Sequence, residues 1–157
     1  SSTICISIET LKINNKYKIF TDSGRTEINT DTFDWIKEVQ DLGVGEIILT
    51  SINNEGTGKG YDLNLYEKAS KISNISLLAH GGARNPSDVY EVFSKTGVDG
   101  AVIASAFHFN YYKELLEKKD IPLKGSTDFL KKNINQGIFF GINNLKEYLK
   151  TKKIEIR

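Results

Sequence analysis

The sequence has little of what would tie it to an oxidising compartment, a membrane or a metal. It carries one cysteine, Cys5, in 157 residues. One thiol makes no internal disulfide, which points to a reducing compartment. Cys5 stands between Ile4 and Ile6 in an apolar run, which reads as a core position rather than a nucleophile. No apolar run approaches the roughly 20 residues needed to span a bilayer, and nothing resembles a signal peptide. A cytoplasmic chain without a membrane partner is the expectation. Ser1-Ser2-Thr3 leads straight into a strand pattern, an abrupt start that suggests further chain upstream. An excess of one charge is also missing, since 21 Lys and Arg oppose 20 Asp and Glu for a net charge of +1. Composition therefore gives no electrostatic case for nucleic acid, and pairs such as Lys131-Lys132 and Lys152-Lys153 read as solvated helix faces. The two histidines have no metal-like spacing with Cys5 or the acids, so no metal or other cofactor is implied.

What is present is a repeated strand–helix pattern. At 39% apolar residues, the chain is long enough to bury a core of its own and reads as one domain, residues 1–157. Residues 3–9 form a β-branched run that reads as a buried strand, and residues 17–21 a second short strand after an Asn14-Asn15 turn. Thr30 or Asp31 can cap a helix carrying Phe33, Ile36 and Val39, which Gly43 ends. Strands follow at 45–50, 75–79 and 100–104. Between them, helices are capped by Asp62 and by the Asn85-Pro86 pair, with Gly97 as a stop. Further helices are expected at 111–118, 127–134 and 144–150. The strands are continuous apolar runs, the mark of parallel strands covered by helices. The reading is an α/β fold, four units making half of a (β/α)8 barrel, since a full one needs about 250 residues. A flavodoxin-like open sheet, with helices on both faces, is the rival.

In such folds the active site collects where strands end at their C-terminal rim. Gly81 and Gly82 after one strand, with Ala104 and Ser105 after the next, would place backbone N–H groups and a hydroxyl around one point, a phosphate site. Alone, Gly-Gly is more often a tight turn. Glu9 and Glu55 are candidate acid–base groups, although Glu9 could equally be the solvated last residue of a strand. His80 could be a base or a loop histidine bonded to backbone. His108, between Phe107 and Phe109, reads as structural.

Taken together, the motifs resemble the cyclase subunit of imidazole glycerol phosphate synthase. Residues 45–51, then Glu55-Gly56-Thr57 and Gly60-Tyr61-Asp62, resemble its sixth strand and loop. Residues 79–83 resemble its seventh-strand phosphate loop, and residues 104–109 its eighth. Residues 21–24 with Asp34-Trp35 fit the hairpin and helix after strand five, and residues 145–149 fit the final helix. The resemblance covers residues 3 to about 109 and again 141–157. The sister isomerase of histidine synthesis shares the acidic-Gly-Thr loop and the phosphate turns, but Gly-Tyr-Asp and Phe-His-Phe favour the cyclase. The resemblance implies the C-terminal half, strands 5–8, of a (β/α)8 TIM barrel. It also implies a glutaminase partner that supplies ammonia at the N-terminal face, and a bis-phosphorylated ribulosyl nucleotide as the phosphorylated small-molecule substrate. Glu9 falls at one of two catalytic aspartates; the other belongs to strand one, outside this sequence. Gly82, Ala104 and Ser105 fall at a phosphate site, joined by Gly81 and His80 of the same turn. Ser23, Thr50 and Glu55, with Gly56 beside it, fall at substrate contacts. Glu46 falls at an acidic residue of the ammonia gate.

The chain departs from that pattern in four places. Glutamate replaces aspartate at positions 9 and 55, and one extra methylene moves a carboxylate by about 1 Å, enough to cost ~10²-fold if that group does the chemistry. His80 replaces a small residue. Residues 110–140 include an insertion. Cyclase-like paralogues that deliver ammonia to a sugar amidotransferase in surface-polysaccharide synthesis tolerate such changes better, which gives a second expectation. A third is a non-catalytic half-barrel that only associates with other chains. An isolated half should pair with an N-terminal half-barrel or a second copy of itself, and should be inactive until the barrel is complete.

Overall fold

The computed structural model describes residues 3–118 and 139–156. The element order is β1 (Cys5–Ile13), β2 (Lys16–Thr21), β3 (Thr26–Asp31), α1 (Thr32–Asp41), β4 (Glu46–Ser51), α2 (Leu63–Ser70), β5 (Ser76–His80), α3 (Pro86–Thr96), β6 (Gly100–Val102), α4 (Ser105–Glu117) and α5 (Ile142–Thr151). The expected helix at 127–134 lies outside the described residues.

The strands make one six-stranded sheet in the order β3-β2-β1-β4-β5-β6. β1, β4, β5 and β6 are parallel and in sequence order, while β2 and β3 add an antiparallel meander. Side chains alternate across a strand, and here the alternation sorts two faces. Ile8, Ile47, Leu49, Leu77 and Ala79 are buried with Ile36, Val39, Leu65, Ala69, Val89 and Val92 of the helices in one core. α1, α2, α3 and α5 stand side by side in that order. The opposite face carries three cross-strand rows: Cys5–Glu46–Ser76, Ser7–Ile48–Leu78–Gly100, and Glu9–Thr50–His80–Val102. Among the described residues no helix covers this face. One-sided helices, sequential parallel strands and stacked rows are the anatomy of half a (β/α)8 barrel, and they exclude the open sheet with helices on both faces.

Local signals explain the boundaries. Asp31 caps α1 by accepting from Phe33 N–H at 2.8 Å. Asp62 caps α2 by accepting from Leu65 N–H at 3.1 Å. Asn85 and Asp88 close a capping box across Pro86, and Gly97 ends α3 at φ 77°. Asn14 and Asn15 both have positive φ, as a tight two-residue hairpin turn requires.

Several expectations need correction. Cys5 is exposed: it shares its face with Ser7 and Glu9 rather than with Ile6 and Ile8, and that face has no helical layer. The first strand continues to Ile13, and an unexpected third strand, β3, extends the hairpin. β2 covers one side of β1 over Glu9–Ile13, which leaves that edge open over Cys5–Ile8. α4 begins at Ser105 rather than 111, directly after β6, which spans only Gly100–Val102.

Candidate functional site

The C-terminal ends of β4, β5 and β6 surround a cavity of about 330 Å³. Three segments stand out in its lining: the loop after β4 at Glu55, Gly56 and Thr57, the turn His80-Gly81-Gly82-Ala83 after β5, and Ala104-Ser105 at the start of α4. Seven expected site residues (Glu55, Gly56, His80, Gly81, Gly82, Ala104 and Ser105) thus converge on one space. Ala104 gives α4 no side-chain cap, and the first N–H groups of a helix have no partner within it.

The loops are locked together through glycine. Gly60 N–H donates to the Gly82 carbonyl at 2.9 Å. Gly82 has φ +109°, and a Cβ there would stand 2.0 Å from the Gly60 oxygen; a Cβ on Gly81 would stand 2.9 Å from the Ser51 oxygen. Glycine is therefore required by the approach of the neighbouring loop, not only by that of a ligand. Asn54 organises the other side, its Nδ2 donating to the Gly60 carbonyl at 2.7 Å.

His80 joins the cavity to the upper cross-strand row. Its Nδ1 lies 3.0 Å from Thr50 Oγ1. Its carbonyl accepts from the Tyr66 hydroxyl at 2.5 Å, and that hydroxyl also reaches the Leu49 carbonyl at 3.3 Å. Burial first, then the charges of neighbouring side chains, pushes the Tyr66 phenol far upward, so it stays a donor and ties α2 beneath the ends of β4 and β5. His80, the last residue of β5, is thus held at ring and backbone.

Glu9 and Ser23 sit away from the cavity, on the hairpin side. Glu9 Oε2 accepts from Gly24 N–H at 3.0 Å, so the turn containing Ser23 holds this carboxylate. In register, Glu9 is one strand from Thr50 and two from His80, about 10 Å at the usual strand spacing. Glu46 is not brought to the site. It lies in the lowest row beside Cys5, about 13 Å along the strand from Thr50, at the opposite end of the sheet. Slight desolvation and the Glu46 carboxylate push the Cys5 thiol up.

Sequence reasoning missed Arg84, Ile103, Phe109 and Phe139 as cavity walls. Arg84 follows the Gly-Gly turn closely and could have been found. Phe139 could not, because it reaches the site across a long stretch of chain to meet Phe109, with ring centroids 5.2 Å apart.

The family model of histidine biosynthesis proteins matches residues 1–113. The chain belongs to the histidine biosynthesis protein family. Its similar relatives include the imidazole glycerol phosphate synthase subunit HisF of Chlorobaculum parvum, 38% identical over 129 residues, covering 79% of this chain and 51% of the relative. The subunit HisF of Natranaerobius thermophilus is 40% identical over 109 residues, covering 69% of this chain and 43% of the relative. That of Bacillus cereus strain G9842 is 41% identical over 110 residues, covering 69% and 44%. The chain spans about half the length of the curated relatives it matches. The resemblance read from the motifs is thereby shown. The part matched to the histidine biosynthesis family holds every expected site residue; Phe139 lies beyond it.

Proposed function

We propose that this chain supplies the C-terminal half of the cyclase subunit of imidazole glycerol phosphate synthase. The cavity at the ends of β4, β5 and β6 holds one phosphate of a bis-phosphorylated ribulosyl nucleotide. Glu9 moves protons as ammonia from a glutaminase subunit closes the imidazole ring. Glu46, at the far end of the sheet, stands where ammonia enters. The open face of the half-barrel is completed by an N-terminal half-barrel or a second copy. The observation that carries this reading is the row Glu9–Thr50–His80–Val102, which runs along the rim into the cavity. It puts the carboxylate proposed for acid–base work and the turn proposed to hold phosphate on one surface, about 10 Å apart at the usual strand spacing.

One observation favours the ammonia-delivering alternative: the Glu9 carboxylate is already engaged by Gly24 N–H. The deciding experiment supplies the chain with a complementary N-terminal half-barrel, an ammonium salt and the bis-phosphorylated nucleotide, and follows imidazole glycerol phosphate. Turnover should appear and fall by ~10² or more in Glu9→Ala. Turnover untouched by that substitution contradicts the role of Glu9. A completed barrel that binds the nucleotide without turnover favours ammonia delivery to a sugar amidotransferase.

A further inference from the structure

Arg84 stands on the cavity wall just past the Gly-Gly turn, and the proposed function leaves it unused. Its N–H donates to Asp88 Oδ2 at 2.8 Å, which anchors its backbone at the start of α3. Its stem lies against the loop after β4, with Cβ and Cγ 3.5 Å and Cδ 3.6 Å from where a Cβ on Gly58 would be. The side chain therefore bridges the two loops at the cavity. The ion pairs among the described residues are Lys18–Glu27, Lys37–Asp34, Lys71–Glu67 and Lys95–Glu91, so no carboxylate there claims the Arg84 guanidinium.

The charge on the wall makes this cation consequential. Among the described residues, Glu55 and Arg84 are the charged side chains lining the cavity, with His80 beside them. Without Arg84, an entering anion would meet a carboxylate and repulsion. With it, the wall is balanced, and it carries a planar fork suited to phosphate oxygens.

We propose that Arg84 makes this cavity selective for phosphate monoesters, its guanidinium closing on the anion from the side of the loop after β4, against which its stem lies. A monoester dianion has three unesterified oxygens for three sets of donors: the 81–83 turn, the 104–106 peptide groups and the guanidinium. A diester has two, and leaves one donor set without a partner, which costs affinity. The inference rests on the phosphate reading above and names the anion class it takes.

Isothermal titration of the 157-residue chain at pH 8 with inorganic phosphate, and separately with dimethyl phosphate, tests it. The wild-type chain should prefer phosphate at least tenfold. Arg84→Gln keeps most of the stem over Gly58 and removes the charge; it should bind phosphate about tenfold to a hundredfold more weakly, with an unchanged circular-dichroism spectrum. Arg84→Lys, which keeps the charge but not the fork, should fall between. Adding Glu55→Gln to Arg84→Gln should recover part of the loss by removing the repulsion. Arg84→Gln binding phosphate as tightly as wild type overturns this inference alone. Wild-type chain that binds neither anion overturns the phosphate reading and this inference with it.

Discussion

Replacing Gly82 by alanine separates the architecture of the site from its ligand chemistry. The added Cβ would lie 2.0 Å from the Gly60 oxygen and 2.7 Å from its carbon, on a residue at φ +109°. Holding a side chain in that backbone region costs about 1–3 kcal/mol, and forcing apart the backbone it meets adds about 1–3 kcal/mol. The total, about 2–6 kcal/mol, is large beside a domain stability of about 5–15 kcal/mol. At about 2–4 °C per kcal/mol for a chain of this size, the melting temperature should drop by roughly 5–20 °C. Gly56 is the internal control. It lies in the loop after β4 with φ +69°, but a Cβ there meets nothing within 4 Å, so alanine should cost only the backbone term of about 1–2 kcal/mol. Thermal unfolding followed by far-UV circular dichroism reads both variants. If Gly82→Ala melts no lower than Gly56→Ala, the two loops are not locked through Gly82 and the site's frame is not as described. A loss of phosphate binding in a Gly82 variant would accordingly report a broken frame, and Arg84 is the cleaner probe.

Two further outcomes follow from the open face. Cys5 is exposed there and its thiol is pushed up, by slight desolvation and then by Glu46. A raised thiol has less thiolate at a given pH, so Glu46→Gln should lower it and speed alkylation by iodoacetamide at pH 8. An unchanged rate would refute the coupling. In sedimentation at micromolar concentration, the chain alone should run as a homodimer, or as a complex when the N-terminal half is added. The edge of β6 and the half-buried Ile48, Leu78 and Val102 leave surface for a partner; a compact monomer would contradict that expectation.

Much of the fold was legible because its signals are local. The apolar runs at Ile47–Leu49 and Leu77–Ala79, the caps at Asp31, Asp62 and Asn85, and the stop at Gly97 each act within a few residues. β3 was not legible: Thr26–Asp31 is polar and largely exposed, and it is a strand because β2 offers it an edge. The start of α4 was missed because Ala104 carries no capping side chain. Cys5 was misread for a topological reason. An apolar run suggests burial on both faces, but a half-barrel has helices on one. At the site, the glycine turn, Ser105 and Glu55 could be gathered from the rule that strand ends converge. The role of Gly82 in loop packing, the grip of Tyr66 on the His80 carbonyl and the reach of Phe139 depend on contacts distant in sequence, which spacing does not encode.

The rim formed by β5, β6 and α4 is proposed to hold phosphate on a half-barrel. Titrating inorganic phosphate into the ¹⁵N-labelled chain and following its amide resonances tests this most directly. Saturable shifts should concentrate at Gly81, Gly82, Ala83, Ser105 and Ala106, with Glu46 and Cys5 at the opposite end of the sheet undisturbed. Shifts scattered over the surface lysines, or none at the rim up to millimolar phosphate, would contradict it.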